Sequence, residues 1–353
     1  MEKPKMEAAV MDRPLSIRVE QVDIPEPQWD EALIRVHCIG ICGSDVHYYE
    51  HGRIGRYVVE KPIVLGHELA GTVVSVGGGV TNVQVGDRVA VEPGVTCGRC
   101  EYCKSGRYNL CPDVVFMATP PVDGAWAEFV AVRSDFLYKL PDEMSFEEGA
   151  LLEPLSVGFH AMRRANIKPE HTVLVTGLGP IGLLAMEAAK LFGVNELYGS
   201  DVVAFRRELA EEMGATGVVD PSQGPMEAQL SHLQGFMGFD VLIETSGNAR
   251  AISDSIRLVK RGGTIVFIGL PAAETIPLDV AHLVDSELDI YGVFRYANTY
   301  SAAIQALSKG KQDIRRVITH KFPLHAIKDA IETARTHKDT SIKIMIYPDK
   351  HNV

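Results

Sequence analysis

The rhythm of apolar positions changes near residue 150. Before it, short β-branched runs such as 32–38 and 69–76 are separated by frequent Gly and Pro, and few stretches carry a helical period. This pattern predicts an irregular, β-rich domain. Beyond it, buried-strand runs at 171–176, 196–200, 217–219, 240–245, 262–269 and 288–294 alternate with helical patterns such as 183–192, 205–213 and 249–261. Strands alternating with helices predict a doubly wound parallel sheet, an α/β arrangement. Ser145-Phe146-Glu147-Glu148 reads as a capping box, and Pro154 is expected to kink or restart the helix it opens near Glu153. Helical patterns at 301–309 and 326–336 and a strand at 341–347 are expected to return the chain to its first domain. The resulting division is 1–155 with 295–353, and 156–294.

Composition narrows the partners. The 353 residues make about two domains at roughly 150 each. Acidic residues number 46 against 35 basic, a formal charge of −11, which speaks against nucleic acid or an anionic membrane as partner. No apolar run approaches the ~20 residues needed to span a bilayer. The first seven residues are charged and lack the apolar segment of a signal peptide, so a cytoplasmic location is expected. In that compartment six cysteines need a reason other than disulfides.

Four of them give one. Cys97, Cys100, Cys103 and Cys111 read C-x2-C-x2-C-x7-C in a stretch with Gly94, Gly98 and Gly106, a loop able to fold around an ion. Four thiolates suit a closed tetrahedral zinc site that stabilises structure. An iron–sulfur cluster is the rival reading, although the fourth spacing is long for one and no second cluster motif exists. Cys42 differs: it stands in Gly40-Ile41-Cys42-Gly43-Ser44-Asp45 after a predicted strand, and Gly66-His67-Glu68 precedes the next. A thiolate, an imidazole and carboxylates make a mixed set, and catalytic zinc keeps a position open for water or substrate. Adjacent side chains on a strand point to opposite faces, so His67 and Glu68 can share a metal only if the backbone turns there; Gly66 permits that. Cys38 lies in a strand with no partner pattern.

The strand at 171–176 runs into Gly177-Leu178-Gly179-Pro180-Ile181-Gly182 and then a helix. Strand before and helix after give this G-x-G-x-x-G its meaning, a tight turn whose helix N-terminus offers free N–H groups to a pyrophosphate. Asp201 ends the next strand, nineteen residues after Gly182. A carboxylate there accepts from ribose hydroxyls and repels a 2′-phosphate, favouring NAD over NADP, while Arg206 and Arg207 nearby could reach adenine or a phosphate. Ile268, Gly269 and Leu270 at the end of the fifth strand, and Phe294 and Arg295 at the end of the last, complete the expected cofactor contacts.

Cys42-Gly43-Ser44-Asp45, Gly66-His67-Glu68, the four-cysteine loop and the glycine turn, in this order, resemble the zinc-containing medium-chain dehydrogenases over essentially the whole chain. Val46-His47-Tyr48-Tyr49, Gly52-Arg53-Ile54-Gly55, Ala118-Thr119-Pro120-Pro121, Glu153-Pro154-Leu155-Ser156-Val157-Gly158 and Gly292-Val293-Phe294-Arg295-Tyr296 resemble the polyol (sorbitol-type) branch. The resemblance implies a GroES-like catalytic domain, a Rossmann domain, an active site in the cleft between them, two zinc ions per chain, NAD and a homotetramer. It implies Cys42, His67 and Glu68 as ligands of the catalytic zinc, with Glu153 holding the metal's water or ligating directly; which carboxylate binds stays open. It also implies Ser44 and Tyr48 in a proton path and substrate wall, and Phe116, Arg295 and Tyr296 around the polyol. The expected reaction is oxidation of a secondary alcohol to a ketose. A threonine, butanediol or simple alcohol dehydrogenase is the nearest alternative, and a non-catalytic NAD-binding relative the alternative outside enzymes.

Overall fold

The computed structural model describes residues 3–230 and 237–349. They divide into two units: Met1–Glu153 with Tyr300–Ser308 and Ile318–Val353, and Pro154–Thr299 with Lys309–Val317.

The first unit is built on a seven-stranded sheet in the order Leu137–Lys139, Arg88–Val91, Glu68–Val76, Glu31–Gly40, Lys343–Tyr347 and Ile318–Pro323, with Phe129–Arg133 also paired to Glu31–Gly40. Glu31–Gly40 is its hub. It runs antiparallel to Glu68–Val76 along one edge, while its other edge is shared by Phe129–Arg133 at the start and Met345–Ile346 at the end. Alternate residues of these strands, including Ile34, Leu69, Ile344 and Ile346, are buried with Trp126 in one core. A β-rich unit is what the short runs and frequent Gly and Pro predicted.

The second unit holds six parallel strands in the order Gly217–Val219, Glu196–Ser200, Thr172–Thr176, Phe239–Glu244, Val259–Phe267, Asp289–Gly292. In chain sequence this is 3-2-1-4-5-6, the doubly wound dinucleotide-binding order. Leu174, Leu242 and Ile265 from its central strands are wholly buried, which is why those runs read as continuously apolar rather than alternating.

Two local expectations need correction. The helix Phe146–Arg164 does not restart near Glu153: Pro154 lies inside a single helical span. Pro154 removes a single N–H from the ladder, and the buried faces on either side of it keep the helix whole. The helix after Asn248 spans only Ala249–Ser255. The apolar residues beyond it belong to the Val259–Phe267 strand, which passes through Gly262 and Gly263 instead of starting there. The capping box is present: Ser145 Oγ accepts from Glu148 N at 3.1 Å and Glu148 Oε2 accepts from Ser145 N at 2.7 Å. Among the described residues no helix is long and apolar enough to cross a membrane.

Candidate active site and metal centres

Cys42 is the N-cap of the helix Gly43–His51. Its own N–H donates to Asp45 Oδ2 at 2.9 Å, and Asp45 Oδ1 accepts from Gly66 N at 3.1 Å. One buried carboxylate thereby ties the helix start to the turn that carries His67. Gly66 holds φ +86°, and a Cβ on it would lie 2.3 Å from the Trp126 ring. Only glycine satisfies both demands. The turn places His67 just ahead of the Glu68–Val76 strand, so that a Cys42, a His67 and a Glu68 ligand atom lie within 4.8 Å of one another.

His67 Nδ1 faces Asp45 Oδ1 at 3.6 Å, the carboxylate behind the imidazole that metal-binding histidines usually have. Burial alone would lower the His67 pKa, but Asp45 and Cys42 beside it raise it well above the ordinary value. A positive charge is therefore favoured among these groups, which is what a divalent cation would supply. The donor set of thiolate, imidazole and carboxylate fits zinc.

Sequence reasoning did not single out Lys343. It is buried, and its Nζ donates to Glu68 Oε1 at 2.7 Å, Glu68 Oε2 at 2.6 Å and the Ile41 carbonyl at 3.0 Å. Burial opposes its charge, yet Glu68 and Cys42 raise its pKa above the usual lysine value. Asp45, quoted earlier only within a motif, was likewise missed as a tie between two loops.

The other expected residues fall as follows. Glu153 is buried in the helix Phe146–Arg164 but stands outside the group of three converging ligand atoms. Ser44 and Tyr48 lie on the Cys42-capped helix, Tyr48 buried. The Phe116 ring meets His67 edge-on at 5.5 Å between centroids. In the second unit, Tyr296 is buried, Phe294 is half exposed, and the Arg295 guanidinium lies over the Phe294 ring at 4.8 Å.

The four-cysteine loop closes on itself. Sulfur separations are 3.9 Å for Cys97–Cys103, 3.4 Å for Cys100–Cys103 and 3.5 Å for Cys97–Cys111. Zinc–sulfur bonds of about 2.3 Å in a tetrahedron require edges of roughly 3.8 Å. These spacings fit, and none of the cysteines forms a disulfide. Backbone N–H groups of Arg99 and Cys100 lower the Cys97 thiol to about 6, the thiolate form a metal takes. Burial raises Cys111 to about 11.

In the second unit Gly177 has φ +84°, and a Cβ on Gly182 would lie 1.9 Å from the Gly177 carbonyl, so turn and helix meet at contact distance. Pro180 opens the helix at its first position, where no N–H is missed, and Ile181 follows it. A cleft of about 720 Å³ runs beside this turn, lined by Gly177, Gly179, Asp201, Arg206 and Asn248 among others. Ile268, Gly269, Leu270, Phe294 and Arg295 are not part of its lining.

An open parallel sheet with a glycine turn, in one chain with two metal-donor groups, defines a zinc-dependent dehydrogenase that uses a nicotinamide cofactor. Comparison with known proteins agrees. Residues 28–142 match the alcohol dehydrogenase GroES-like domain and residues 180–309 the zinc-binding dehydrogenase family. The chain is 48% identical to sorbitol dehydrogenase of Bacillus subtilis (strain 168) over 345 residues, 98% of both proteins. It is 44% identical to sorbitol dehydrogenase of Bos taurus over 352 residues, 99% of this chain and 98% of that one. A zinc-binding dehydrogenase from Sinorhizobium meliloti 1021, solved with NADP bound, superimposes with a TM-score of 0.90 at 33% identity, covering 98% of this chain and 100% of that one. The chain belongs to the zinc-containing medium-chain dehydrogenases, in their sorbitol-dehydrogenase-like branch.

Proposed function

We propose that this chain oxidises a secondary alcohol of a polyol, of the sorbitol or xylitol type, to the corresponding ketose with NAD. The observation that carries the reading is the convergence of Cys42, His67 and Glu68 within 4.8 Å, a set with a carboxylate and a single thiolate, in a chain whose relatives are sorbitol dehydrogenases. A non-catalytic NAD-binding protein would have no use for so incomplete a ligand set.

When bound, zinc supplies a Lewis acid for the substrate oxygen and NAD a hydride acceptor. Cys42, His67 and Glu68 hold the metal, and Asp45 orients the His67 ring. Glu153 would hold a bound water through which the alcohol proton leaves to its carboxylate, with Ser44 passing it outward. Tyr48 and Phe116 shape the substrate wall, and Arg295 and Tyr296 bind polyol hydroxyls. The backbone N–H groups of Gly179, Ile181 and Gly182 receive the pyrophosphate, with Gly177 and Pro180 shaping the turn, Asp201 accepts from the ribose, and Arg206 packs at the adenine. Ile268, Gly269, Leu270 and Phe294 contact the remaining cofactor surface. Cys97, Cys100, Cys103 and Cys111 would hold a second zinc and so fasten the loop. Six unpaired cysteines suit a cytoplasmic protein, and resemblance to the family supports a homotetramer.

A substrate panel with both cofactors tests this. Buried polar groups left unpaired cost about 1–3 kcal/mol each, so ethanol should be at least about a hundredfold poorer in kcat/KM than sorbitol or xylitol. Equal efficiency on ethanol, or preference for threonine or butanediol, would overturn the polyol assignment and leave the zinc dehydrogenase standing.

A further inference from the structure

Lys343 is one of the largest fully buried side chains in the molecule, in company otherwise aromatic or aliphatic. Its three ammonium donors meet three acceptors: both oxygens of Glu68 and the carbonyl of Ile41, the residue before Cys42. The sheet is arranged to allow this. Glu68 pairs across the ladder with Gly40, and a Cβ on Gly40 would lie 2.0 Å from Glu68 Oε2. Glu68 therefore lies folded over a glycine and is pinned there from the neighbouring strand. The Ile41 N–H donates to the Ile344 carbonyl at 2.9 Å, fixing the lysine's strand to the same backbone.

We propose that Lys343 is a positioning residue of the catalytic metal site: it clamps the Glu68 carboxylate to the backbone that carries Cys42, and so fixes the spacing and net charge of the ligand set. The inference rests on the reading of Cys42, His67 and Glu68 as zinc ligands. A thiolate and a carboxylate together would cancel the charge of a divalent cation. The ammonium offsets one negative charge in a site that also holds the Asp45 and Glu153 carboxylates, and so limits the excess of negative charge around the metal. A point charge with three donors suits the task, since it reaches both carboxylate oxygens and a carbonyl at once.

The alternative is an ion pair that only steadies the sheet. The test uses full-length protein with cobalt(II) at the Cys42 site and zinc in the four-cysteine loop, following the cobalt visible spectrum and the rate of metal loss to a chelator. Lys343→Met should shift the cobalt bands and speed loss from this site by at least roughly tenfold, as for other groups that orient metal ligands, while the loop retains its zinc. Lys343→Arg, which keeps the charge and donors, should recover most of both effects. If Lys343→Met does not fold, Lys343→Gln, which keeps hydrogen-bond donors without the charge, decides the matter: shifted bands and faster metal loss support the proposal, and wild-type bands and loss rate overturn it. A folded Lys343→Met with the wild-type spectrum and loss rate would overturn the proposal and leave the metal assignment intact. A wild-type cobalt spectrum indifferent to Cys42→Ser would instead overturn the assignment on which it rests.

Discussion

Asp201 accepts the backbone N–H of Leu178 at 2.8 Å through Oδ2, so the carboxylate expected to read the ribose is fastened to the glycine turn itself. Its Oδ1 accepts from Val203 N at 2.9 Å, and Arg207 Nη1 donates to its carbonyl at 2.6 Å. A carboxylate held on both sides cannot swing away from an added phosphate. Asp201→Asn keeps the shape and removes the charge. The NADP-to-NAD ratio of kcat/KM should rise about tenfold, equivalent to ~1.4 kcal/mol. Steady-state kinetics with both cofactors checks this, and a wild type that uses them equally would show the carboxylate has no such role.

The two metal-donor groups should separate by phenotype. Cys97→Ala opens a closed four-thiolate loop, so thermal stability should fall and remaining activity should follow the folded fraction. Cys42→Ala should abolish turnover while NAD binding persists. Elemental analysis should find two zinc ions per chain in the wild type and one in each variant; iron, or one zinc in the wild type, would refute the two-site assignment.

Glu92 makes a pH-dependent contribution. Burial pushes its carboxyl up to about 7, although Tyr138 and Tyr108 oppose this by donating to it, each at 2.8 Å. A carboxyl with a raised folded-state pKa binds more protons folded than unfolded, so its contribution to stability falls as pH rises from about 4.5 to about 7. Glu92→Gln cannot ionise. Its stability relative to wild type should grow by about 2–3 kcal/mol across that window, measured by denaturant titration of zinc-loaded protein. A difference independent of pH would count against the assignment.

Gly66→Ala should be costly for a small change. A positive φ disfavours alanine by about 1–2 kcal/mol, and the Cβ meets the Trp126 ring. Denaturant midpoints should drop accordingly, and metal should be lost from the Cys42 site, because His67 and Glu68 share it only through this turn. A variant with unchanged metal content would show that the turn does not set the site.

The turn at Gly66 was legible because its chemistry is local: a glycine ahead of two donors on a strand has few other uses. The parallel sheet was legible for the same reason, since buried strands and their glycine turn lie within about thirty residues of one another. Lys343 was not. A lysine in a strand reads as a surface residue, and the partner that keeps it charged inside the protein is 275 positions away. Pro154 and the short helix after Asn248 show the opposite failure, where local rules of helix breaking and continuation yielded to the packing of neighbouring elements.

The strands that bear Lys343 and its neighbour, Lys343–Tyr347 and Ile318–Pro323, are made only after the whole of the inserted parallel sheet. At ~5–20 residues per second a ribosome needs on the order of tens of seconds to travel from Glu68 to Lys343. The six parallel strands have been made by residue 292 and the last segment of their unit by residue 317, while Cys42, His67 and Glu68 still lack the cation proposed to brace them. On that proposal the metal site is completed late in the life of the nascent chain. A product truncated before residue 343 would carry the nucleotide-binding strands beside donors that release their metal more readily than those of the finished chain.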